Sequence, residues 1–588
     1  MCDTVIEFQN VSFSYGAMQG QRPIEAVRQL SFSIEKGSYV ALIGRNGSGK
    51  STIARLMNGL LLPDQGLVMV DGRLTADDDS IYEIRRQCGM VFQNPDNQII
   101  GTTVKDDVAF GPSNLGLPAE EIMRRVDESL AMTGLLDLKE RPPHELSGGQ
   151  KQKLAIASVL AMRPGCIILD EATAMLDPVA RRDVMALIGE LRKQHGITMV
   201  QITHHMEEAL TADYVHVISD GGIAFSGTPA DVFDQVDRVK SEGLSVPAHL
   251  EIARLISERA GVGYDREEII SFEGAVRFVN RVMENHLTGH INECVVKPRF
   301  DESRPAVVEV TDLSYSYPAA GGPPIEALRS VSMTVRQGEI LGIAGHTGSG
   351  KSTLIQHLNG LIPAHKGHVI VLGHDLSEKK EIRQIRPQVG LLFQYPEDQL
   401  FEETVALDIA FAPKQQKRSP EEVERAVLRA AGRLGIESIL DRSPFELSGG
   451  QRRRVAIAGV LAAEPAIVIL DEPAAGLDPA GRDDLFKDLL TLSAEGATLI
   501  IVSHDMEMMT RYADRILVLK GGGVAGIGTP SEIIASAQFL DQAHLDMPAP
   551  KRFLDALADE YKDLDTSCFN VGDAATALLS AKRRTPHG

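Results

Sequence analysis

The sequence contains an internal repeat, whose two copies are offset by 301 residues. GRNGSGKST begins at Gly44 and GHTGSGKST at Gly345, and the tetrapeptide ILDE contains Asp170 and, again, Asp471. ELSGGQ and the related pair FQNPDNQ and FQYPEDQ recur at the same offset. Because few insertions or deletions separate the copies, the sequence predicts two domains of one fold joined in tandem.

The repeat continues past these motifs into a smaller segment at the end of each copy. LSVP at 244–247 matches LDMP at 545–548, and a helix-like stretch follows each, HLEIARLISERA or KRFLDALADEY. Proline and charged residues near 299–305 mark a boundary between the copies. We therefore predict a first domain at 1–230, a helical extension and linker at 231–304, a second domain at 305–531 and a C-terminal helical extension at 532–588.

Composition limits the class of protein. The 588 residues carry a net charge of −21, which repels phosphate backbones and argues against a nucleic-acid partner. The five cysteines include no CxxC pair, so neither a zinc site nor a disulfide framework is indicated. The N-terminus has no signal-peptide pattern, and no apolar run approaches the ~20 residues of a membrane-spanning helix. If the protein works at a membrane, we expect other subunits to span it.

Apolar runs of strand type precede the key motifs in both copies. They lie at 39–43, 166–169 and 199–202 in the first copy, and at 340–344, 466–470 and 499–502 in the second. Short apolar runs separated by helical segments are typical of buried parallel strands. An α/β fold is predicted for each copy.

GxxxxGK[ST] occurs twice, each time between a strand-like run and a helix-like segment, which is the context expected of a phosphate-binding loop. Glycines let the backbone wrap round phosphates, and the helix N-terminus adds partial positive charge. Lys50 and Lys351 are expected to reach the β- and γ-phosphates of ATP, and Ser51 and Ser352 to hold Mg²⁺. The predicted loops comprise Gly44, Arg45, Asn46, Gly47, Ser48, Gly49, Lys50, Ser51 and Thr52, and Gly345, His346, Thr347, Gly348, Ser349, Gly350, Lys351, Ser352 and Thr353.

An acidic pair ends the second apolar run of each copy. Asp170 and Asp471 are placed to act on Mg²⁺, directly or through water. Glu171 and Glu472, one residue further, are placed to polarise the attacking water. A solvated strand end is the alternative for a lone Asp-Glu pair, and the phosphate loop upstream argues against it.

LSGGQ at 146–150 and 447–451, between phosphate loop and acidic pair, resembles the signature of ABC ATPases, and the resemblance covers essentially the whole chain. It implies a Q-loop glutamine that also serves Mg²⁺, a D-loop aspartate, a catalytic switch histidine and an adenine-stacking tyrosine. In that order these are Gln93, Asp177, His204 and Tyr15 in the first copy, and Gln394, Asp478, His504 and Tyr317 in the second. His205 is an alternative to His204, and core packing is an alternative for both tyrosines.

The same resemblance implies an antiparallel β subdomain and an α-helical signature subdomain beside each mainly parallel core sheet. It also implies that two domains meet head to tail around two ATP molecules. The Lys50 site would be completed by Ser448, Gly449, Gly450 and Gln451, and the Lys351 site by Ser147, Gly148, Gly149 and Gln150. Since both copies retain every element, we expect two competent ATPase sites.

The sequences around the Q-loops and the acidic pairs resemble those of the ATPase subunits of energy-coupling-factor (ECF) importers. FQNPDNQIIGTTVKDDVAFGP with DEATAMLDP is similar to their first ATPase subunit, and FQYPEDQLFEETVALDIAFAP with DEPAAGLDP to the second. This implies an integral-membrane T component, a substrate-binding S component and a peripheral position on the cytoplasmic face of the cell membrane. Residues 94–109 and 395–410 are the candidate docking surface, with a plain surface loop as the alternative. The cargo stays open among vitamins, cobalt and nickel.

Two other classes of tandem ABC protein are alternatives to an ECF-type importer. A fused sugar-importer ATPase often has a degraded second site, whereas the second copy here is intact. A tandem ABC protein acting on ribosomes or nucleic acid resembles this layout but typically has a basic helical linker, whereas residues 231–304 are net acidic. A purely structural role conflicts with two intact Glu residues.

Overall fold

The computed structural model of the protein describes residues 4–16, 24–174, 176–285, 301, 303–318, 324–394, 399–447, 449–562 and 564–583. The chain forms two compact units, Met1–Val282 and Met283–Gly588, and the division falls inside the predicted linker segment 231–304.

The first unit contains ten strands and twelve helices in its described residues. The strands are β1 (Thr4–Tyr15), β2 (Ile24–Glu35), β3 (Tyr39–Gly44), β4 (Gln65–Val70), β5 (Arg73–Leu74), β6 (Cys88–Val91), β7 (Cys166–Asp170), β8 (Thr198–Thr203), β9 (Tyr214–Ser219) and β10 (Gly222–Gly227). The helices are α1 (Lys50–Met57), α2 (Ile81–Gln87), α3 (Val104–Asn114), α4 (Ala119–Met132), α5 (Gly148–Leu160), α6 (Pro178–His195), α7 (Met206–Ala209), α8 (Pro229–Asp234), α9 (Val236–Ser241), α10 (Ala248–Ala260), α11 (Arg266–Ile269) and α12 (Phe272–Asn285).

The main sheet of the first unit has the order β6-β7-β8-β3-β9-β10. All neighbours run parallel except β9 and β10. Strands β3, β7 and β8 are buried along their whole length, which explains why their sequences are continuous apolar runs. Their carboxyl ends meet at one edge of the sheet, where open α/β sheets bind ligands.

A second, antiparallel sheet has the order β2-β1-β4-β5. Its inward side chains, such as Phe8 and Val68, share one apolar cluster with Leu42 of β3 and Ile168 of β7. Ile53 of α1 belongs to the same cluster, so this helix is packed into the core behind the phosphate loop. The antiparallel subdomain thereby fixes the position of the loop.

A helical subdomain, formed by α3, α4 and α5, has a core of its own. Val108, Val126 and Leu154 are fully buried there, one from each helix. Helix α5 begins within the LSGGQ motif, so this subdomain carries the signature sequence.

The second unit repeats this plan. Its strands are β11 (Ala306–Tyr317), β12 (Ile325–Arg336), β13 (Ile340–Ala344), β14 (His368–Val371), β15 (His374–Asp375), β16 (Val389–Leu392), β17 (Ile467–Asp471), β18 (Thr498–Val502), β19 (Arg515–Lys520), β20 (Gly523–Gly528), β21 (Tyr561–Lys562) and β22 (Lys582–Arg583). Its helices are α13 (Lys351–Leu358), α14 (Lys379–Ile385), α15 (Val405–Gln415), α16 (Pro420–Arg433), α17 (Gly449–Ala462), α18 (Pro479–Ala494), α19 (Met506–Tyr512), α20 (Pro530–Ile533), α21 (Ala537–Gln542), α22 (Ala549–Asp555) and α23 (Val571–Ser580). The main sheet, β16-β17-β18-β13-β19-β20, and the antiparallel sheet, β12-β11-β14-β15, have the same strand order as in the first unit. The predicted fold class is confirmed.

The second extension differs in one respect from the prediction. The helix predicted over KRFLDALADEY ends at Asp555, and Tyr561 pairs instead with Arg583 in the small antiparallel sheet β21-β22. Tyr561 is 1% exposed, so burial of its large ring outweighs the helix propensity of residues 556–560. The second extension is therefore not wholly helical. Within the described residues no helix is long and apolar enough to cross a bilayer.

Candidate functional site

Each phosphate loop joins a central strand to the first helix of its domain. Residues 44–52 connect β3 to α1, and residues 345–353 connect β13 to α13. A Cβ on Gly49, whose φ is +102°, would lie 2.4 Å from the carbonyl oxygen of Ala26. Gly350 is held against Ala327 in the same way, at 2.5 Å. Only glycine fits this close approach of two backbones in a left-handed conformation.

The helices that follow begin without a side-chain cap. Gly49 and Gly350 are the N-cap residues of α1 and α13, and neither helix has a side-chain hydrogen bond at its N-terminus. The first-turn N–H groups of an uncapped helix are available to an anion. Lys50 Nζ donates to the carbonyl oxygens of Gly44 and Arg45, both at 2.8 Å, and is held over the loop. Lys351 does the same with Gly345 and His346.

A hydroxyl and a carboxylate stand side by side at the start of each first helix. Ser51 Oγ donates to Asp170 Oδ1 at 2.9 Å, and Ser352 Oγ donates to Asp471 Oδ2 at 2.8 Å. Burial raises the pKa of both aspartates, for Asp471 to about 6, although the serine hydroxyls act to lower it. Burial of an acid that needs a positive partner is typical of a cation site.

The glutamates after these aspartates adopt a left-handed backbone, with φ of +49° for Glu171 and +47° for Glu472. This conformation is uncommon for residues other than glycine and costs on the order of 1 kcal/mol. The backbone N–H of each glutamate donates to the neighbouring strand, to Ile202 and Val502 respectively. Sequence reasoning did not foresee this strained turn, because it depends on contacts between distant strands.

The surroundings of the two glutamates are not the same. Glu171 accepts a hydrogen bond from Gln93 Nε2 at 2.9 Å, while His204 Nδ1 lies 3.7 Å from it, beyond hydrogen-bond distance. Glu472 lies 2.9 Å from His504 Nδ1 and accepts from the Ser503 hydroxyl at 3.1 Å. In the described residues Gln394 makes no corresponding bond to Glu472.

Both glutamates are held in the charged state. Burial acts to raise the pKa of Glu171 and of Glu472, but the switch histidine and the phosphate-loop lysine beside each outweigh it, and both pKa values are lowered. A buried carboxylate that stays ionised is suited to accept a proton from water or to polarise it. The ring of His205 lies 4.3 Å from that of His204, whose Nδ1 lies 3.7 Å from the Glu171 carboxylate.

The signature and D-loop residues occupy helix N-termini. Ser147 caps α5 and forms a reciprocal capping box with Gln150, and Gly148 and Gly149 begin the helix. In the second unit Gly449, Gly450 and Gln451 begin α17, and Ser448 lies outside the described residues. Asp177 and Asp478 cap α6 and α18 by accepting from Ala180 N at 2.9 Å and Gly481 N at 2.7 Å. The sequence did not indicate this capping role.

The two predicted adenine-stacking tyrosines end the first strand of their unit. Tyr15 is 39% exposed and Tyr317 37% exposed. Their hydroxyls lie 3.1 Å from Thr52 Oγ1 and 3.3 Å from Thr353 Oγ1, respectively. An exposed ring anchored to the phosphate loop is suited to stacking on a base, whereas the core-packing alternative requires a buried ring.

The residues present fit ATP and Mg²⁺. The glycine cradle, the uncapped helix N-terminus and the lysine suit a polyphosphate, and the Ser–Asp oxygen pairs suit a small divalent cation. One group of polar residues escaped the sequence reasoning: Thr173, Gln201 and Glu208 are buried near Glu171. A comparison of the two copies could have identified these three residues, because the second copy has the apolar residues Ala474, Ile501 and Met508 at the equivalent positions.

A phosphate loop after the central strand β3, an acidic pair at the end of β7 and a histidine after β8, the strand between these two, define a P-loop ATPase. The family model described as "ABC transporter" matches residues 27–174 and 328–475. The chain belongs to the ABC transporter family. Its two domains are ATP-hydrolysing ABC domains, and the protein is an ATP-binding subunit of an ABC transporter.

Relatives match along the whole chain or along half of it. A provisionally named ABC transporter ATP-binding protein of Caldanaerobacter subterraneus subsp. tengcongensis is 33% identical over 93% of this chain and 95% of its own length. A provisionally named HMP/thiamine import ATP-binding protein of Bacillus subtilis is 30% identical over 95% of this chain and 98% of its own length. The energy-coupling factor transporter ATP-binding protein EcfA1 of Clostridioides difficile is 48% identical over 44% of this chain and 92% of its own length.

Proposed function

We propose that this protein is the fused ATPase pair of an ECF-type importer of a vitamin or a metal ion. The duplicated catalytic arrangement carries the proposal: both units place Ser, Asp, Glu and His around one phosphate loop. The 48% identity to an energy-coupling factor ATP-binding protein and the full-length relation to a provisionally named HMP/thiamine import protein support the ECF type.

Each ATP is bound between the two halves. The ATP at the Lys50 phosphate loop also contacts signature residues 448–451. The ATP at the Lys351 phosphate loop also contacts signature residues 147–150. In support, Ser147 and Gly148 are exposed at the N-terminus of α5. In the capping box the backbone N–H of Gln150 donates to Ser147 Oγ and the backbone N–H of Ser147 donates to Gln150 Oε1, so the serine hydroxyl can still donate its own hydrogen. An exposed helix N-terminus of this kind is suited to a γ-phosphate brought by the other half.

Hydrolysis is divided among residues of each half. Lys50 and Lys351 neutralise the phosphates, and the N–H groups of the loop hold them in place. Glu171 and Glu472 polarise the attacking water, and His204 and His504 orient the γ-phosphate beside it. Ser51 with Asp170, and Ser352 with Asp471, would hold Mg²⁺, assisted by Gln93 and Gln394. When bound, Mg²⁺ neutralises charge on the phosphate oxygens.

The membrane partner docks on two matching apolar surfaces. In the first unit Ile100 is 60% and Phe110 51% exposed, and in the second Phe401 is 57% and Phe411 39% exposed. The two members of each pair lie on one rigid surface, because a buried aspartate on the helix accepts N–H groups of the preceding loop. Asp107 accepts from Ile100 and Gly101, and Asp408 accepts from Phe401 and Glu402.

Paired apolar side chains at equivalent positions favour a protein partner that contacts both units. We infer that this partner is the T component, which in turn holds an S component that captures the cargo. Of the predicted segment 395–410, residues 395–398 lie outside the described residues. The chain is thereby held at the cytoplasmic face of the membrane.

The proposal is tested by detergent extraction of the tagged chain from its own cells and identification of the co-purified membrane proteins. A membrane subunit of T type with a small membrane protein of S type is expected. The double variant Phe110→Asp/Phe411→Asp should lose both while retaining ATP binding. Leu67→Asp, at a position 44% exposed on β4, is the matched control and should retain them. Recovery of ribosomes instead of membrane subunits would contradict the proposal.

A further inference from the structure

A chain of four buried polar side chains runs through the first unit. The Tyr39 hydroxyl donates to Gln201 Oε1, Gln201 Nε2 donates to Glu208 Oε2, and Thr173 Oγ1 donates to Glu208 Oε1 at 2.6 Å. The four residues are between 1% and 5% exposed. Burial, together with the charge of Glu208, raises the pKa of the Tyr39 phenol, so this group keeps its proton and remains a donor.

The second unit has the same backbone and none of this polar chain. The equivalent positions are Ile340 on β13, Ile501 on β18, Met508 on α19 and Ala474 after Glu472. The first three are buried in one apolar cluster, and the alanine packs against it. Polar groups buried in place of apolar ones do not add stability as a rule. The fold therefore does not require the polar chain, and another role is needed to account for it.

Two members of the polar chain lie close in the sequence to the predicted catalytic residues. Thr173 follows Glu171 by two positions, in the turn closed by Ala174 N donating to the Glu171 carbonyl oxygen at 3.0 Å. Glu208 follows His204 by four positions, on the short helix α7. The bond between Thr173 and Glu208 thus joins the turn that carries Glu171 to the helix that follows His204.

The two units hold their catalytic glutamate by different means. In the second unit Glu472 is held directly by the segment after β18, through the Ser503 hydroxyl and both the backbone N–H and the ring of His504. In the first unit the 3.7 Å gap between His204 and Glu171 leaves no such bond. The Thr173–Glu208 bond spans the same two segments further from the reacting atoms.

We propose that Glu208 is a positioning residue of the first ATP site, which fixes the spacing of Glu171 and His204 through Thr173. The inference rests on the proposed roles of Glu171 and His204. Both carboxylate oxygens of Glu208 accept from neutral donors, and in the described residues no cation pairs with them. Its hydrogen bonds therefore act as a directional brace between the two segments. The two sites of one chain hydrolyse ATP with differently supported catalytic pairs.

The test uses the full chain with Glu472→Gln, so that turnover reports the first site. Adding Glu208→Met and Thr173→Ala, which copies the second unit, should lower kcat about tenfold, because small displacements of catalytic groups cost this much. KM for ATP should change less than about twofold, because the phosphate loop is not touched. Glu208→Gln should restore kcat to within about threefold of the parent, since its amide can accept from Gln201 and donate to Thr173.

Two controls make the outcome decisive. Met508→Leu, at the equivalent position of the second unit, should leave first-site kcat unchanged. If Glu208→Met with Thr173→Ala does not fold, the quadruple variant that also carries Tyr39→Ile and Gln201→Ile reproduces the packing of the second unit and takes its place. An unchanged kcat in a folded variant, or an equal loss with Glu208→Gln, overturns the positioning role. Turnover that survives in Glu171→Gln/Glu472→Gln would instead remove the catalytic roles proposed for these two glutamates, on which the inference rests.

Discussion

The hydroxyl of Ser51 donates a hydrogen bond to the carboxylate of Asp170 across 2.9 Å, which joins the first turn of α1 to the end of β7. The residues are 119 positions apart in the sequence, and the pair recurs as Ser352 with Asp471. Both residues of each pair carry oxygen atoms of the kind that binds Mg²⁺, and the serine lies directly after the phosphate-loop lysine. We propose that these oxygen atoms are ligands of Mg²⁺, and the hydrogen bond holds them side by side.

Removal of one member of this pair should weaken the affinity of the site for Mg²⁺. Ser51→Ala with Ser352→Ala should raise the Mg²⁺ concentration needed for half-maximal ATPase activity at least about tenfold, because one ligand of each site is lost. The control is Ser80→Ala, which removes a serine hydroxyl on the surface before α2. Thr52 is not suitable as a control position, because its hydroxyl contacts Tyr15. An unchanged Mg²⁺ titration would refute the assignment of the serines.

Exchange of the catalytic carboxylates for amides should separate binding from hydrolysis. Glu171→Gln with Glu472→Gln should lower kcat by a factor of at least about 100, because the amide cannot polarise water as a carboxylate does. ATP affinity should be kept, since the phosphate loops are unchanged. Steady-state phosphate release and equilibrium binding of ATP measure the two quantities. Wild-type turnover in the double variant would rule out these residues.

The extension of the first unit packs against the phosphate loop. A Cβ on Gly243, whose φ is +71°, would lie 2.6 Å from Cδ of Arg45. The equivalent residue of the second unit, His544, has its ring 5.4 Å from that of His346 in the other phosphate loop. Gly243→Ala should displace Arg45 and weaken ATP binding at the first site several-fold, in addition to a backbone cost of about 1 kcal/mol.

The matched control for this substitution is Gly261→Ala. Gly261 has a similar φ of +67°, and a Cβ there would meet no atom within 4 Å. The control should share the loss of thermal stability and keep the ATP affinity of the parent. Equal ATP affinity in both variants would show that the extension does not act on the phosphate loop.

Acid should destabilise the first unit through His216. This residue is 6% exposed, and burial lowers its pKa from the usual 6.5 to about 4. Between these pH values the unfolded chain binds a proton at His216 and the folded unit does not. The free energy of unfolding therefore falls as the pH drops from 6.5 to 4. The loss is about 3 kcal/mol at most.

His216→Leu, which copies Leu517 of the second unit, should remove this part of the acid sensitivity. The difference in thermal midpoint between variant and parent should grow as the pH is lowered from 7.5 to about 5. His195→Leu, at an exposed position near the end of α6, is the control and should follow the parent. A constant difference across this pH range would contradict the origin assigned to the shift.

The sequence predicted those features that repeat or that depend on neighbouring residues. Strand β13 lies at the predicted residues 340–344, and both phosphate loops join the predicted strand and helix. The left-handed turn at Glu171 was not predicted, since it depends on pairing with Ile202 of another strand. The different support of Glu171 and Glu472 was missed for the same reason: identical local motifs, ILDE in both copies, are surrounded by different residues far along the chain.

The central claim is that each ATP is shared between the halves of one polypeptide, and a structure of Glu171→Gln/Glu472→Gln with ATP and Mg²⁺ tests it most directly. We expect two nucleotides in one chain, one contacting Lys50 and residues 448–451, the other contacting Lys351 and residues 147–150. Nucleotides that contact a phosphate loop and the signature of the same half, or the signature of a second chain, would contradict the account.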